Sequence, residues 1–204
     1  LPLKNGLYYS YADTPLPQIL GDVGSIFTPT NVFFNAQFHH GDHNNQPKVW
    51  MWSGQDLRQQ AGTVEHQYTL EHPIIDMTDW IGQTWFADEI GLYKLKGDGT
   101  HTLEFELANI KELSSNRSTL WIRTTNRIHQ VTPSTVTEYA TPSPVTAVAP
   151  SGLTVCVGTE DGLFRLWKGR DEMWENPLGM QDQNVKIIDT VGDGKGGCWI
   201  AAET

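Results

Sequence analysis

The chain has 204 residues, with 24 acidic against 14 basic side chains and a formal charge of −10. That balance disfavours a general binder of phosphate backbones. Two cysteines are too few for a disulfide-stapled miniature fold, and no apolar run approaches the roughly 20 residues a membrane helix needs.

Nineteen glycines, eleven prolines and 10% aromatic residues suit many short strands joined by tight turns. In chain order, Leu1–Asn5 leads into a strand-like Gly6-Leu7-Tyr8-Tyr9, and Leu16–Leu20 supplies a second short strand. Ser25-Ile26-Phe27, Asn31–Phe38, Lys48–Ser53 and Glu65–Glu71 read as the next four strands, with the stretch Gln37–Pro47 enlarging one connection.

A repeat then takes over. Thr84-Trp85-Phe86-Ala87, Leu120-Trp121-Ile122-Arg123, Val155-Cys156-Val157-Gly158 and Cys198-Trp199-Ile200-Ala201 each set an aromatic or thiol at one register of an apolar strand. The marked residues recur at intervals of 36, 35 and 43, the size of a four-stranded propeller blade. A preceding apolar stretch supplies strand A: Ile74–Met77, Asn109–Leu113, Val145–Val148 and Val185–Ile188. Gly91-Leu92-Tyr93 and Gly162-Leu163-Phe164 open strand C, with glycine at the turn exit and aromatic alternation behind it. His101–Phe105 and Thr135–Tyr139 supply strand D.

The last unit stops after strands A and B at Thr204, and the chain begins with a segment of the strand C form. Both termini are therefore expected to share one blade, which would remove open sheet edges. The resulting architecture is an all-β, five-bladed propeller with four-stranded antiparallel blades. The expected blades are 25–71, 73–107, 108–140, 144–178, and 185–204 completed by 6–20.

The run Trp85-Phe86-Ala87-Asp88-Glu89-Ile90-Gly91-Leu92-Tyr93 resembles the two-component-regulator propeller repeat. Val157-Gly158-Thr159-Glu160-Asp161-Gly162-Leu163-Phe164-Arg165 is similar, and Asp193-Gly194-Lys195-Gly196-Gly197-Cys198-Trp199-Ile200 resembles the lead-in to its tryptophan strand. The resemblance implies a sensory or interaction module, extracytoplasmic or secreted, belonging to a larger signalling protein. Fold alone does not choose the ligand.

The B–C connections should gather on one face. They carry Asp88-Glu89, Thr124-Thr125, Glu160-Asp161 and Glu203-Thr204, and the enlarged connection adds His39-His40-Gly41-Asp42-His43. Asp88, Glu89, Glu160, Asp161, Glu203 and Asp42 are therefore the expected ligand-binding residues, forming an electronegative mouth. Converging carboxylates offer hard oxygen ligands and His39, His40 and His43 offer imidazoles, so a divalent cation is admitted, although no cofactor is required. Solvated turns also favour these residue types. Gly192-Asp193-Gly194-Lys195-Gly196-Gly197 has the glycine spacing of a dinucleotide loop, but a strand follows where that motif needs a helix.

Eight tryptophans raise a carbohydrate-binding reading. Trp85, Trp121 and Trp199 fit inter-blade packing, whereas Trp50, Trp52, Trp167 and Trp174 are the candidates for exposure. Cys156 stands at a packing position and reads as a buried, inert thiol. Asp76, Glu112 and Asp189 on inner-strand segments are the carboxylates a glycosidase would draw on. The expected function is non-catalytic recognition of a small molecule, glycan or protein, without nucleic acid or membrane insertion. A glycoside-active or lectin-like propeller is the alternative.

Overall fold

The computed structural model describes residues 35–39, 48–61, 64–116, 118–167, 174–175 and 185–203. Among these the regular structure is all strand. The chain divides into two compact units, Leu1–Glu71 and His72–Thr204.

The first unit holds one antiparallel sheet of β1 (Asn35–His39), β2 (Lys48–Ser53), β3 (Asp56–Ala61) and β4 (Val64–Thr69), in that order. Ser53 pairs with Asp56 across a two-residue turn in which Gly54 takes a φ of 60°, the left-handed conformation glycine adopts without penalty. Strand β3 departs from the sequence reading, which left Asp56–Ala61 unassigned. Because β3 is present, the stretch enlarged by His40–Pro47 joins the first and second described strands rather than the second and third. Ser25–Phe27 and the proposed closing strands, Gly6–Tyr9 and Leu16–Leu20, lie outside the described residues.

The second unit repeats one plan. β5 (Asp76–Trp80), β6 (Gln83–Ala87), β7 (Gly91–Leu95) and β8 (His101–Glu106) form an antiparallel meander. β9 (Glu112–Ser115), β10 (Leu120–Arg123), β11 (Arg127–Val131) and β12 (Val136–Ala140) form the next. β13 (Val145–Ser151), β14 (Thr154–Thr159), β15 (Gly162–Trp167) and β16 (Trp174–Glu175) follow. β17 (Lys186–Gly192) and β18 (Cys198–Glu203) make a sheet that is two-stranded among the described residues.

Register explains the recurring tryptophan. Trp85, Trp121 and Cys156 each sit on the second strand opposite a small partner on the first: Thr78, Ser114 and Ala149. Trp85 packs with Ile110, Leu113 and Leu120 of the following sheet, and Trp121 with Val145, Val148 and Val155. Cys156 meets Val185 and Ile187 in the same way. Each such indole removes roughly 4–6 kcal/mol worth of apolar surface from water before entropy is charged against it. At the last of these junctions, β14 lies so close to β17 that a Cβ on Gly158 would stand 2.6 Å from Ile187 Cγ2.

Cys156 and Cys198 form a disulfide, with Cα atoms 6.5 Å apart, within the span such a bond requires. This corrects the expectation of an inert thiol at Cys156. The residue is buried, but its sulfur ties the fourth repeat to the fifth. The glycine-rich run 192–197 is the turn between β17 and β18. Asp193 Oδ1 accepts hydrogen bonds from the amides of Lys195 (2.7 Å) and Gly197 (2.9 Å) and from Ser151 Oγ (2.9 Å). Its amides organise a turn rather than a phosphate cradle.

Candidate functional site

Three B–C turns are built on one device. Asp88 Oδ1 accepts the amides of Ile90 at 2.7 Å and Gly91 at 3.0 Å, and the Asp88 amide donates to the Gly91 carbonyl. Thr124 uses its amide and hydroxyl on the Arg127 carbonyl at 3.0 and 3.1 Å. The Thr159 hydroxyl donates to the Gly162 carbonyl at 2.8 Å and accepts from the Asp161 amide at 3.2 Å. All three capping residues are buried. Short polar side chains that bond their own turn suit this position.

The device places the expected site residues unequally. Asp88 is only 3% exposed and its carboxylate is committed to turn amides. The equivalent of Asp88 in the fourth repeat is Thr159, one residue earlier than the sequence alignment set it. Glu89, Thr125 and Glu160 therefore head the three tips. Glu89, Glu160 and Asp161 are exposed, and Glu89 Oε1 lies 3.0 Å from His72 Nδ1. Glu203, also exposed, pairs in register with Lys186 at the end of β18. His39 ends β1, while His40, Asp42 and His43 lie outside the described residues.

Beneath these tips runs a polar thread along the inner strands. Asp76 Oδ1 accepts the Met77 amide at 2.8 Å, and its Oδ2 accepts the Leu113 amide of the next sheet at 2.7 Å. Arg123 Nε donates to Glu112 Oε2 at 2.7 Å, and its Nη1 donates to the Val145 carbonyl at 3.2 Å. Three successive sheets are thereby linked at the end where their B–C turns emerge. Burial raises the Asp76 carboxyl above its ordinary value, against the pull of the two amides and Arg123. Burial also pushes Glu112 up to about 7; the Arg123 charge and hydrogen bond oppose this, while Asp76 and Asp189 add to it. The sequence showed the carboxylates; Arg123 carried no signal, since only the register Glu112↔Arg123 makes it their partner.

On the same end lies a cavity of about 270 Å³ lined by Asn109, Thr125, Asn126, Arg127, His129 and Glu138. Arg127 and Glu138 form an ion pair across β11 and β12. His129 is buried, and burial together with the Arg127 charge lowers its pKa, favouring the neutral imidazole. The sequence reading missed this cavity, because Asn109 reaches it from the connection before β9 and Glu138 from strand β12. Among the described residues, no group of three or more His, Cys, Asp or Glu side chains could hold a metal ion.

Trp85 and Trp121 are buried in packing as expected, but three other tryptophans correct the sequence reading. Trp50 and Trp52 are 2% and 3% exposed, whereas Trp199, expected in packing, is 75% exposed. Arg165 stands 5.9 Å over the Trp167 ring.

No family model and no curated protein matches the sequence. Solved structures do match in fold. The extracellular domain of the one component system BT4673 from B. thetaiotaomicron superposes with a TM-score of 0.65 at 15% identity. The match covers 86% of this chain but 26% of that one, so the chain spans about a quarter of that domain's length. Regucalcin from Agrobacterium tumefaciens, a calcium-binding protein, gives 0.58 at 15% identity over 84% of this chain and 68% of that one. YCF48 bound to D1 peptide gives 0.56 at 11% identity, over 84% and 60%. The Cps50 (Swd1) β-propeller domain of Myceliophteria thermophila gives 0.59 at 12% identity, over 81% and 65%. With its succession of four-stranded antiparallel sheets, the chain has the fold of β-propeller proteins.

Proposed function

We propose that the chain is a non-catalytic recognition module of a propeller, binding a cationic small molecule or a basic protein segment on the face of its B–C turns. The observation that carries this is the shared turn device. Buried Asp88, Thr124 and Thr159 fix three tips and leave Glu89, Glu160 and Asp161 exposed on them. Rigidly mounted carboxylates of one sign concentrate cations at a surface with little ordering cost. Asp88 acts here as the positioning residue, and Glu203 extends the set.

A sensory role outside the cytoplasm accords with the disulfide, since such bonds persist in oxidising compartments, and with the fold likeness to an extracellular domain. Five blades closed by Gly6–Tyr9 and Leu16–Leu20 complete the reading; the exposed Trp199, on a sheet that is two-stranded among the described residues, favours a further strand there.

The test is binding of octa-lysine by calorimetry to the parent and to a Glu89→Gln, Glu160→Gln, Asp161→Asn triple variant. A second triple variant, Glu65→Gln, Asp98→Asn, Glu104→Gln, removes the same charge toward the C–D turns instead. Affinity should fall at least about tenfold in the first variant only. Equal losses in both would sink the reading, because net charge alone would then explain binding. A calcium titration of the same proteins decides whether a divalent cation uses the same carboxylates.

A further inference from the structure

The cavity at the third repeat carries a requirement of its own. Glu89, Glu160 and Asp161 are absent from its lining, so it stands or falls apart from the acidic tips. It lies between the connection that holds Asn109 and the B–C turn Thr124–Arg127, with Glu138 of β12 in its wall. Its volume of about 270 Å³ is the room of about nine liquid waters.

His129 is the group that asks for an occupant. It is 4% exposed and lines the cavity. Glu138 Oε2 stands 3.8 Å from its Nδ1, beyond hydrogen-bond reach, and neither ring nitrogen makes a hydrogen bond among the described residues. Neither nitrogen is a sealed atom either, so both keep surface at which an occupant can bond. A buried polar side chain open to a cavity and without a partner is uncommon in native structures. Burial and the Arg127 charge keep the imidazole neutral, which gives it one N–H donor and one lone-pair acceptor. The side chains of Asn109, Thr125 and Asn126 line the same space without a hydrogen bond among the described residues, and each also both donates and accepts. Arg127 and Glu138 neutralise one another.

We propose that this cavity binds one neutral sugar ring, free or at the end of a glycan. A hydroxyl donates and accepts at a single atom, as His129 and the carboxamides require, and adjacent hydroxyls of one ring meet several such groups together. Leu107 offers an apolar wall for the C–H face of the ring. An anion would have to displace Glu138 from Arg127, and a cation would meet the Arg127 guanidinium. A metal ion lacks ligands, because no third His, Cys, Asp or Glu among the described residues joins His129 and Glu138.

The experiment follows the assigned histidine ring signals of the isotope-labelled full chain. Glucose, galactose, mannose and their methyl glycosides are added singly, to tens of millimolar. The His129 signals should shift and saturate with at least one hexose. By calorimetry, His129→Phe should weaken that binding about tenfold, as loss of the bonds to one side chain implies. Asn109 holds a φ of 64°, so Asn109→Gly keeps the left-handed conformation while removing the carboxamide. It should weaken binding about fivefold, and it serves should His129→Phe fail to fold. Trp199→Ala should bind as the parent does. A response to the methyl glycosides as well extends the site to glycan ends, whereas a response to the free sugars alone confines it to monosaccharides. Unmoved His129 signals, unchanged affinity in the cavity variants, or glucuronate bound as tightly as glucose would overturn the proposal. Loss of binding in Trp199→Ala would do the same, by assigning the sugar to an exposed indole.

Discussion

Cys156 and Cys198 are bonded across the junction between the fourth and fifth repeats, closing a loop of 42 residues in sequence separation. A loop of that length restricts the unfolded chain by about 4 kcal/mol in the chain-entropy treatment. Cys198→Ser should lower the denaturant midpoint accordingly and steepen the slope, because the freed unfolded chain exposes more surface. Thiol titration of the unreduced, unfolded parent should find no free sulfhydryl. Two titratable thiols would refute the bond.

Asp88 holds two amides while almost fully buried. Asp88→Ala should cost about 1–3 kcal/mol, because both donors lose their partner inside the turn. Asp88→Asn, which keeps an acceptor oxygen, should cost less. Thermal unfolding of the two variants measures the difference, and equal losses would show that the carboxylate charge matters more than the cap.

Glu112 governs a pH window. Its pKa rises from the ordinary 4.5 to about 7 in the folded chain. A group held more tightly protonated when folded adds stability fully below the unfolded pKa and loses it as pH climbs through the folded one. The contribution of Glu112 should therefore decline between pH 4.5 and about 7, while the lowered His129 acts in the opposite sense as pH rises toward 6.5. The raised Asp76 carboxyl adds in the same sense as Glu112. Asp98 and Asp193 are held below their ordinary 3.8 by hydrogen bonds, so their contributions vanish only at lower pH. Glu112→Gln should flatten the decline in a pH series of melting temperatures; an unaltered slope would assign it to other groups.

Ring closure is tested by a cross-link. In the second and fourth repeats the leucine of Gly-Leu pairs with Ala87 and Gly158. The proposed terminal strand then sets Leu7 beside Ala201. The double variant Leu7→Cys, Ala201→Cys should oxidise to a bond seen as two lost thiols. Persistent thiols would leave the last sheet open.

The strands of the second unit were largely readable because half-buried strands impose alternation and tight turns impose glycine. Trp85, Trp121 and Cys156 could be aligned from their spacing alone, and the register puts them at one position. Strand β3 escaped because Asp56–Ala61 is mostly polar, yet Leu57 and Gln59 are buried there. The one-residue misalignment of Glu160 with Asp88 arose because both are acidic, whereas the turn selects a cap that bonds its own backbone, a role Thr159 fills.

The sequence alone determined the repeat, its antiparallel plan and the acidic character of the B–C turns, since periodicity and turn chemistry are local properties. Tertiary structure decided the rest. The thiol pair, the contact of Asp76 with Leu113 and the partnership of Glu112 with Arg123 all join residues on different strands or sheets. The unpaired N–H of Trp80 depends equally on what surrounds it. Such relationships follow from how neighbouring strands and sheets come together, and no local pattern encodes that distance.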